Sequence, residues 1–189
     1  MSSWIDIIGS FIIGAVIILL LANLNLFITS SSADNLAVNI AQLNLKTTAE
    51  IIEDDFYKIG YKVSGNVITE ADSDRIKFYA DINDDDSIDT VYYYLGPVSD
   101  MASSQNPNDR ILYRVIDNET PTKANVVTNF HLTYYDSTGS PKSYGSLNSQ
   151  VQRNRIKVIE IYMKVESKEP VDGEYQAAEW LRKIMPKNL

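Results

Sequence analysis

Cysteine is absent from this sequence, and His131 is its only histidine. Without cysteine the chain can form neither a disulfide nor a thiolate site. With one histidine, which alternates with the apolar Phe130 and Leu132, most zinc centres and histidine-activated nucleophiles are excluded. A glycine-rich phosphate-binding loop is also missing. We therefore expect a protein that is not an enzyme and has no cofactor, apart from the calcium motif described below.

Basic residues are absent from the first 33 positions, and no residue between Asp6 and Asp34 carries a charge. The net charge of the whole chain is −8. Nucleic acids and anionic lipids bind clusters of lysine and arginine, and this acidic composition disfavours both. We therefore expect no nucleic-acid partner.

The uncharged segment from Ile7 to Ala33 is rich in Ile, Leu, Val and Phe. A helix needs about 20 apolar residues to cross the hydrocarbon core of a bilayer, so residues 1–33 are interpreted as a transmembrane or assembly helix. A buried core helix and a cleaved secretory signal are the alternatives. A signal would have a basic start and a shorter apolar stretch.

The helical pattern continues through residues 34–60, because apolar residues recur there at intervals of three and four. Gly60 is a plausible stop. Ser31 and Asp34 have the spacing of a capping box, which could begin a second helix, but no proline occurs before Pro97. A nearly continuous helix is therefore also compatible with the sequence. The apolar stripe comprises Val38, Ala41, Leu45, Ala49, Ile52, Phe56 and Ile59.

Alternating apolar and polar residues replace the helical period in residues 61–189, which predicts an antiparallel β-rich head. The C-terminal segment 176–189 fits either a short helix or an edge strand. The fold class is therefore α+β, with a long N-terminal helix packed on an antiparallel sheet. The predicted strands are Ile76–Ile82, Ile88–Leu95, Ile111–Ile116, Val126–Tyr135 and Arg155–Ser167.

An acidic motif separates the first two predicted strands. Oxygen-bearing side chains occur there at alternate positions, as in the first part of a calcium loop. Asp86 stands where such a loop has glycine, and Tyr92 stands where its final acid is expected. A polar hairpin turn is the alternative interpretation. The candidate calcium ligands are Asp81, Asn83, Asp85, Ser87 and Asp89.

This layout of apolar helix, amphipathic continuation and antiparallel head resembles the type IV pilin and type II secretion pseudopilin superfamily. The stretch Ile76–Gly96 and the ending Trp180–Leu189 are similar to minor-pilin heads. The sequence departs from the family pattern in two respects. It has no basic leader ending in glycine, and it has aspartate where glutamate is usual.

The resemblance implies a structural subunit that assembles with copies of itself or with sibling subunits into a filament or pseudopilus. It implies an inner-membrane location with an extracytoplasmic head before assembly, or an extracellular filament. In this family, an acid at the fifth position of the mature chain pairs with a neighbour's terminal amine. If Met1 is removed, Asp6 takes that position and Ser2 supplies the amine.

Packing between subunits would involve the apolar residues of the helix, and an unpaired buried Asp6 would penalise wrong axial positions. The alternative interpretation of Asp6 is a residue at the membrane interface, where it marks the start of the helix. The alternative function is that of a single-pass envelope protein with a β-rich binding head, such as an adhesin. The predicted packing residues are Ile7, Ile8, Phe11, Ile12, Val16, Leu19 and Leu20.

Overall fold

The computed structural model describes residues 2–170 and 173–189. The chain forms two compact units, one ending at Asn39 and the other extending from Ile40 to Leu189. Helix α1 begins at Ser2 and ends at Tyr57, and therefore contributes residues to both units. Among the described residues, every strand and a second short helix, α2 (Gln150–Arg153), belong to the unit that begins at Ile40.

Helix α1 has no break at the serine cluster, where a capping box could have begun a second helix. The hydroxyl groups of Thr29, Ser30 and Ser32 donate to carbonyl oxygens three or four residues earlier, at 2.8–3.1 Å. Serine and threonine can satisfy their hydroxyls this way inside a helix. These side chains therefore bond within the helix that already contains them.

Gly60 lies in the turn that follows α1, where its φ of +79° is in the left-handed region. A Cβ atom added at Gly60 would lie 2.9 Å from the backbone carbonyl oxygen of Asn188. Glycine is required here both for the backbone conformation and for this close approach. The predicted stop is therefore near the observed end of α1 at Tyr57.

The strands form two antiparallel sheets, which confirms the predicted α+β class. Among the described residues, the first sheet contains five strands and the second contains three, each in sequence order. The first sheet comprises β1 (Ile68–Ala71), β2 (Arg75–Ala80), β3 (Asp89–Leu95), β4 (Arg110–Ile116) and β5 (Thr122–Val127). The second comprises β6 (Asn129–Tyr135), β7 (Val158–Glu166) and β8 (Ala177–Ile184).

The predicted strand Val126–Tyr135 is wrong as a single element. The chain leaves the first sheet after Val127 and enters the second at Asn129. Between them, the backbone N–H of Thr128 donates to the carbonyl oxygen of Lys164 at 2.8 Å. The alternation of apolar and polar residues continues where the chain passes from the first sheet to the second. The sequence pattern therefore does not indicate where one strand ends and the next begins. The C-terminal segment, which was compatible with a helix or a strand, forms edge strand β8.

The core lies between the inner face of α1 and the strands of both sheets. Phe56 is fully buried and contacts Phe78 and Tyr93 in edge-to-face geometry, with ring centroids 5.7 Å apart in each pair. Such aromatic pairs add stability beyond the area they bury. The predicted stripe is buried from Leu45 onward, at Leu45, Ala49, Ile52, Phe56 and Ile59.

A buried ion pair connects α1 to the first sheet. Asp55 on α1 is 3% exposed, and its carboxylate accepts two hydrogen bonds from the Arg114 guanidinium on β4, at 2.6 and 3.0 Å. The hydroxyl of Tyr93 on β3 donates to the same carboxylate at 2.5 Å. Burial raises the pKa of Tyr93, and the adjacent Asp55 charge raises it further. Tyr93 therefore remains a donor at neutral pH.

We expect Asp55→Asn to lower the free energy of unfolding by about 3–5 kcal/mol, because it leaves the guanidinium of Arg114 without its buried counter-charge. Urea unfolding of the full chain in detergent, followed by near-ultraviolet circular dichroism, measures the change. The control is Asp54→Asn. The Asp54 side chain is 66% exposed and pairs with Lys58, and such surface pairs contribute about 0–1 kcal/mol. Equal losses in the two variants would contradict a structural role for the buried pair.

Candidate functional site

Residues Ser3–Ser32 of α1 form a segment long and apolar enough to cross a membrane, and none of its most apolar part is buried in the structure. At 1.5 Å per residue, these 30 residues extend about 45 Å, more than the roughly 30 Å of a hydrocarbon core. The predicted packing residues surround the helix, with exposures between 48% and 75%. They are Ile7, Ile8, Phe11, Ile12, Val16, Leu19 and Leu20.

Asp6 is exposed within this segment, one turn beyond the start of α1. The first turn of α1 contains no acidic residue, so Asp6 lies just beyond that turn, and its interpretation as a residue at the membrane interface stays a prediction. In the described part of the chain, the Asp6 carboxylate has no hydrogen bond or ion pair. Met1 and the side chain of Ser2 lie outside the described residues, so the predicted pairing with a terminal amine stays a prediction.

Asn23 and Asn25 are two further polar residues in the apolar segment, and our sequence interpretation overlooked them. Both are exposed, and neither side-chain amide donates a hydrogen bond within the described residues. Asparagine amides in membrane helices form hydrogen bonds between helices. In the sequence, these two residues are recognisable as side-chain amides within an otherwise apolar run.

A second set of exposed apolar residues lies on the part of α1 that belongs to the head. Ile40, Leu43 and Ile51 are 51%, 64% and 47% exposed. Their spacing places them about 100–180° around the helix from Leu45 and Ile52, which are buried against the sheets. The sequence interpretation recognised only the buried stripe, so α1 has apolar residues on two faces in this region.

The acidic motif forms the loop between β2 and β3, and its backbone wraps around the carboxylate of Asp81. The two oxygens of Asp81 accept hydrogen bonds from the backbone N–H groups of Asp85 and Asp86, at 3.1 and 3.0 Å. Asn83 accepts from Asp85 at 3.1 Å, and Asp85 accepts from Ser87 at 2.8 Å. The alternating oxygen-bearing side chains therefore stabilise this turn by accepting hydrogen bonds from its backbone.

Asp86 adopts the conformation for which a calcium loop has glycine, with a φ of 67°. Asp84 is also left-handed, with a φ of 60°. Aspartate tolerates this region better than most residues. Aspartate in place of the glycine therefore does not prevent the left-handed conformation at this position.

The cation nearest these carboxylates is Lys62, which follows the turn at the end of α1. Its ammonium lies 2.9 Å from Asp81, 2.7 Å from Asp84 and 2.6 Å from Asp86. The hydrogen bonds to these carboxylates raise the pKa of Lys62, and the hydrogen bond from Lys62 is the main cause that lowers the pKa of Asp81. No local sequence pattern connects Lys62 to the motif, because the contact depends on the path of the chain after α1.

Asp89 completes the predicted ligand set but has a different environment. Its carboxylate is 5% exposed and accepts the backbone N–H of Ile82 at 2.9 Å. Burial raises the pKa of Asp89, and the carboxylate of Asp117 at the tip of the β4–β5 hairpin raises it further. Within the described residues, no three acidic or histidine side chains are placed as a ready metal site. Calcium binding stays a prediction.

His131 lies on the exposed face of β6, where its Nε2 atom is 3.0 Å from the hydroxyl of Tyr144. His131 is therefore an exposed side chain with a hydrogen-bond partner. No known family model, curated protein or solved structure matches this chain.

We expect Asp89→Asn to raise the melting temperature at pH 7 in EDTA. A raised carboxyl pKa means that ionisation destabilises the folded state; this penalty is complete above the folded pKa and absent below the ordinary value of 3.8. The gain should therefore disappear at pH 3. Differential scanning calorimetry at both pH values measures it, with Glu119→Gln as an exposed carboxylate control. A gain that persists at pH 3 would contradict the electrostatic explanation.

Calcium is expected to raise the melting temperature of the unmodified protein, and Asp85→Ala should remove the shift because it removes a ligand. Lys62→Met should enlarge the shift, because calcium no longer competes with the ammonium for Asp81, the one predicted ligand that Lys62 contacts. The measurement is thermal unfolding with calcium or with EDTA. An absence of any shift in the unmodified protein and in Lys62→Met would exclude a calcium site here.

Proposed function

We propose that this protein is a structural subunit with a pilin-like fold, which assembles through its N-terminal helix into a filament or pseudopilus. The partners are copies of itself or sibling subunits. Before assembly the apolar segment resides in the membrane, with the head on the extracytoplasmic side. The observation that carries the proposal is the exposed apolar face at Ile40, Leu43 and Ile51.

A membrane anchor accounts for the segment Ser3–Ser32 but gives no reason for this face. Ile40, Leu43 and Ile51 follow that segment and belong to the same compact unit as the head. In a monomeric anchored protein they would face water or other polar surroundings. Burying a leucine or isoleucine side chain contributes about 1.5–3 kcal/mol, so contact with neighbouring helices would stabilise an assembly.

The hydrogen bonds inside the apolar segment also support a helix that moves from lipid to protein surroundings. Ser10, Thr29, Ser30 and Ser32 donate to backbone carbonyl oxygens of their own helix. These hydroxyls therefore need no partner from either environment. Asp6, Asn23 and Asn25 have polar groups that a neighbouring helix could satisfy.

Asp6 would determine the axial register of the subunits. A carboxylate buried between apolar helices is strongly unfavourable unless a cation or donor meets it. Only those axial positions that bring such a group to Asp6 would then be stable. This role follows from the family resemblance and from the placement of Asp6 one turn inside α1.

We expect Asp6→Ala to abolish or strongly reduce ordered assemblies while membrane insertion is retained, because the substitution makes the segment more apolar. Electron microscopy and size measurements on detergent-extracted protein report assembly, and carbonate extraction of membranes reports insertion. Normal assemblies in Asp6→Ala would remove the proposed role of this residue.

The exposed helix face has its own test. Leu43→Glu should prevent assembly, because it places a charge in the apolar contact, whereas Gln42→Glu adds the same charge at an exposed position about 160–180° around the helix from Ile40 and Ile51 and about 100° from Leu43. Both variants should keep the thermal stability of the head, since neither residue is buried. A monodisperse monomer of the unmodified protein would instead support the alternative, an anchored envelope protein with a binding head.

A further inference from the structure

The hairpin between β4 and β5 contains the sequence Asn118-Glu119-Thr120. Asparagine followed two positions later by serine or threonine, with any residue except proline between them, is the acceptor sequence for N-linked glycosylation. No other asparagine in the chain has a serine or threonine two positions later. Asn118 is therefore the one asparagine of the chain that lies in an acceptor sequence.

The turn that presents Asn118 is held by groups other than its side chain. Asp117 and Asn118 both have positive φ, at 51° and 60°, and the N–H of Glu119 donates to the carbonyl oxygen of Ile116 at 2.9 Å. Asp117 is also connected to Thr90 on β3, through its N–H at 2.9 Å and its carboxylate at 2.8 Å. The backbone of the turn does not depend on a contact of the Asn118 amide.

Asn118, Glu119 and Thr120 are all exposed. Within the described residues, neither the Asn118 amide nor the Thr120 hydroxyl forms a hydrogen bond with the protein. A saccharide joined to the amide nitrogen would extend into solvent and would displace no contact of the fold. An exposed turn is where such a modification is tolerated.

We propose that Asn118 is an N-glycosylation site, an inference that rests on the proposed extracytoplasmic position of the head. The donor is an oligosaccharide linked to a lipid phosphate. The Asn118 amide nitrogen forms a bond to the anomeric carbon of the sugar, the bond from that carbon to the phosphate oxygen breaks, and the lipid phosphate leaves with the electron pair. The amide nitrogen loses one proton, which passes to solvent water.

Pro121 follows the acceptor sequence and restricts Thr120 to extended conformations. Because the transfer enzyme must bind the threonine side chain together with the asparagine, this restriction limits the conformations available for transfer. We therefore expect partial occupancy of Asn118, with higher occupancy in a Pro121→Ala variant.

The test is mass spectrometry of the full-length protein purified from the organism that makes it, intact and after proteolysis. We expect the peptide that contains Asn118 to occur partly with an added saccharide mass. Thr120→Ala should abolish the addition and Thr120→Ser should retain it, while both leave the Asn118 backbone unchanged. Asn108→Gln, at an exposed asparagine outside an acceptor sequence, should leave occupancy unchanged.

Unmodified Asn118 in all protein from native cells, or modification that survives Thr120→Ala, would overturn the inference. Electron microscopy of the same preparations separates this outcome from the proposed function. Filaments built from unmodified protein would overturn the glycosylation site alone. A modified protein that forms no assembly would overturn the filament proposal alone.

Discussion

The buried carboxylate of Asp55 is the constraint on which the arrangement of the head depends. A charge in the interior is tolerated only when opposite charge and hydrogen-bond donors surround it, and here Arg114 and Tyr93 supply both. The three residues come from α1, β4 and β3, so one set of contacts orients the helix against two strands. The aromatic contacts of Phe56 follow immediately along α1.

Two other features follow from that orientation. With the face of Leu45 and Ile52 toward the sheets, Leu43 and Ile40 must point away from the sheets on the exposed side of the helix. The turn after α1 then brings Lys62 to the acidic loop between β2 and β3. The exposed apolar face and the contact of Lys62 with the acidic loop are both consequences of how the inner face of α1 is held.

Local patterns predicted the elements of this fold better than the contacts between them. Three- and four-residue spacing identified the buried stripe of α1, and alternation identified β2 and β7, because each pattern reports one element facing one core. The change of sheet at Thr128 has no such signature. The contacts of Lys62 and Asp55 have no such signature either. Their partners are distant in sequence, and which groups meet depends on the path of the whole chain. In the candidate assembly segment, Asp6 was identified from its isolation, whereas Asn23 and Asn25 were overlooked because they carry no charge.

The close approach of Gly60 to Asn188 has a consequence for the biosynthesis of the head. The end of α1 and the region just after β8 meet, although they are far apart in sequence. Contacts of this kind form only after the intervening chain has been synthesised. Until the residues around Asn188 leave the ribosome, the inner stripe of α1 has no complete core to enter. The nascent chain therefore exposes two apolar faces of one helix at once, and completion of the head covers one of them.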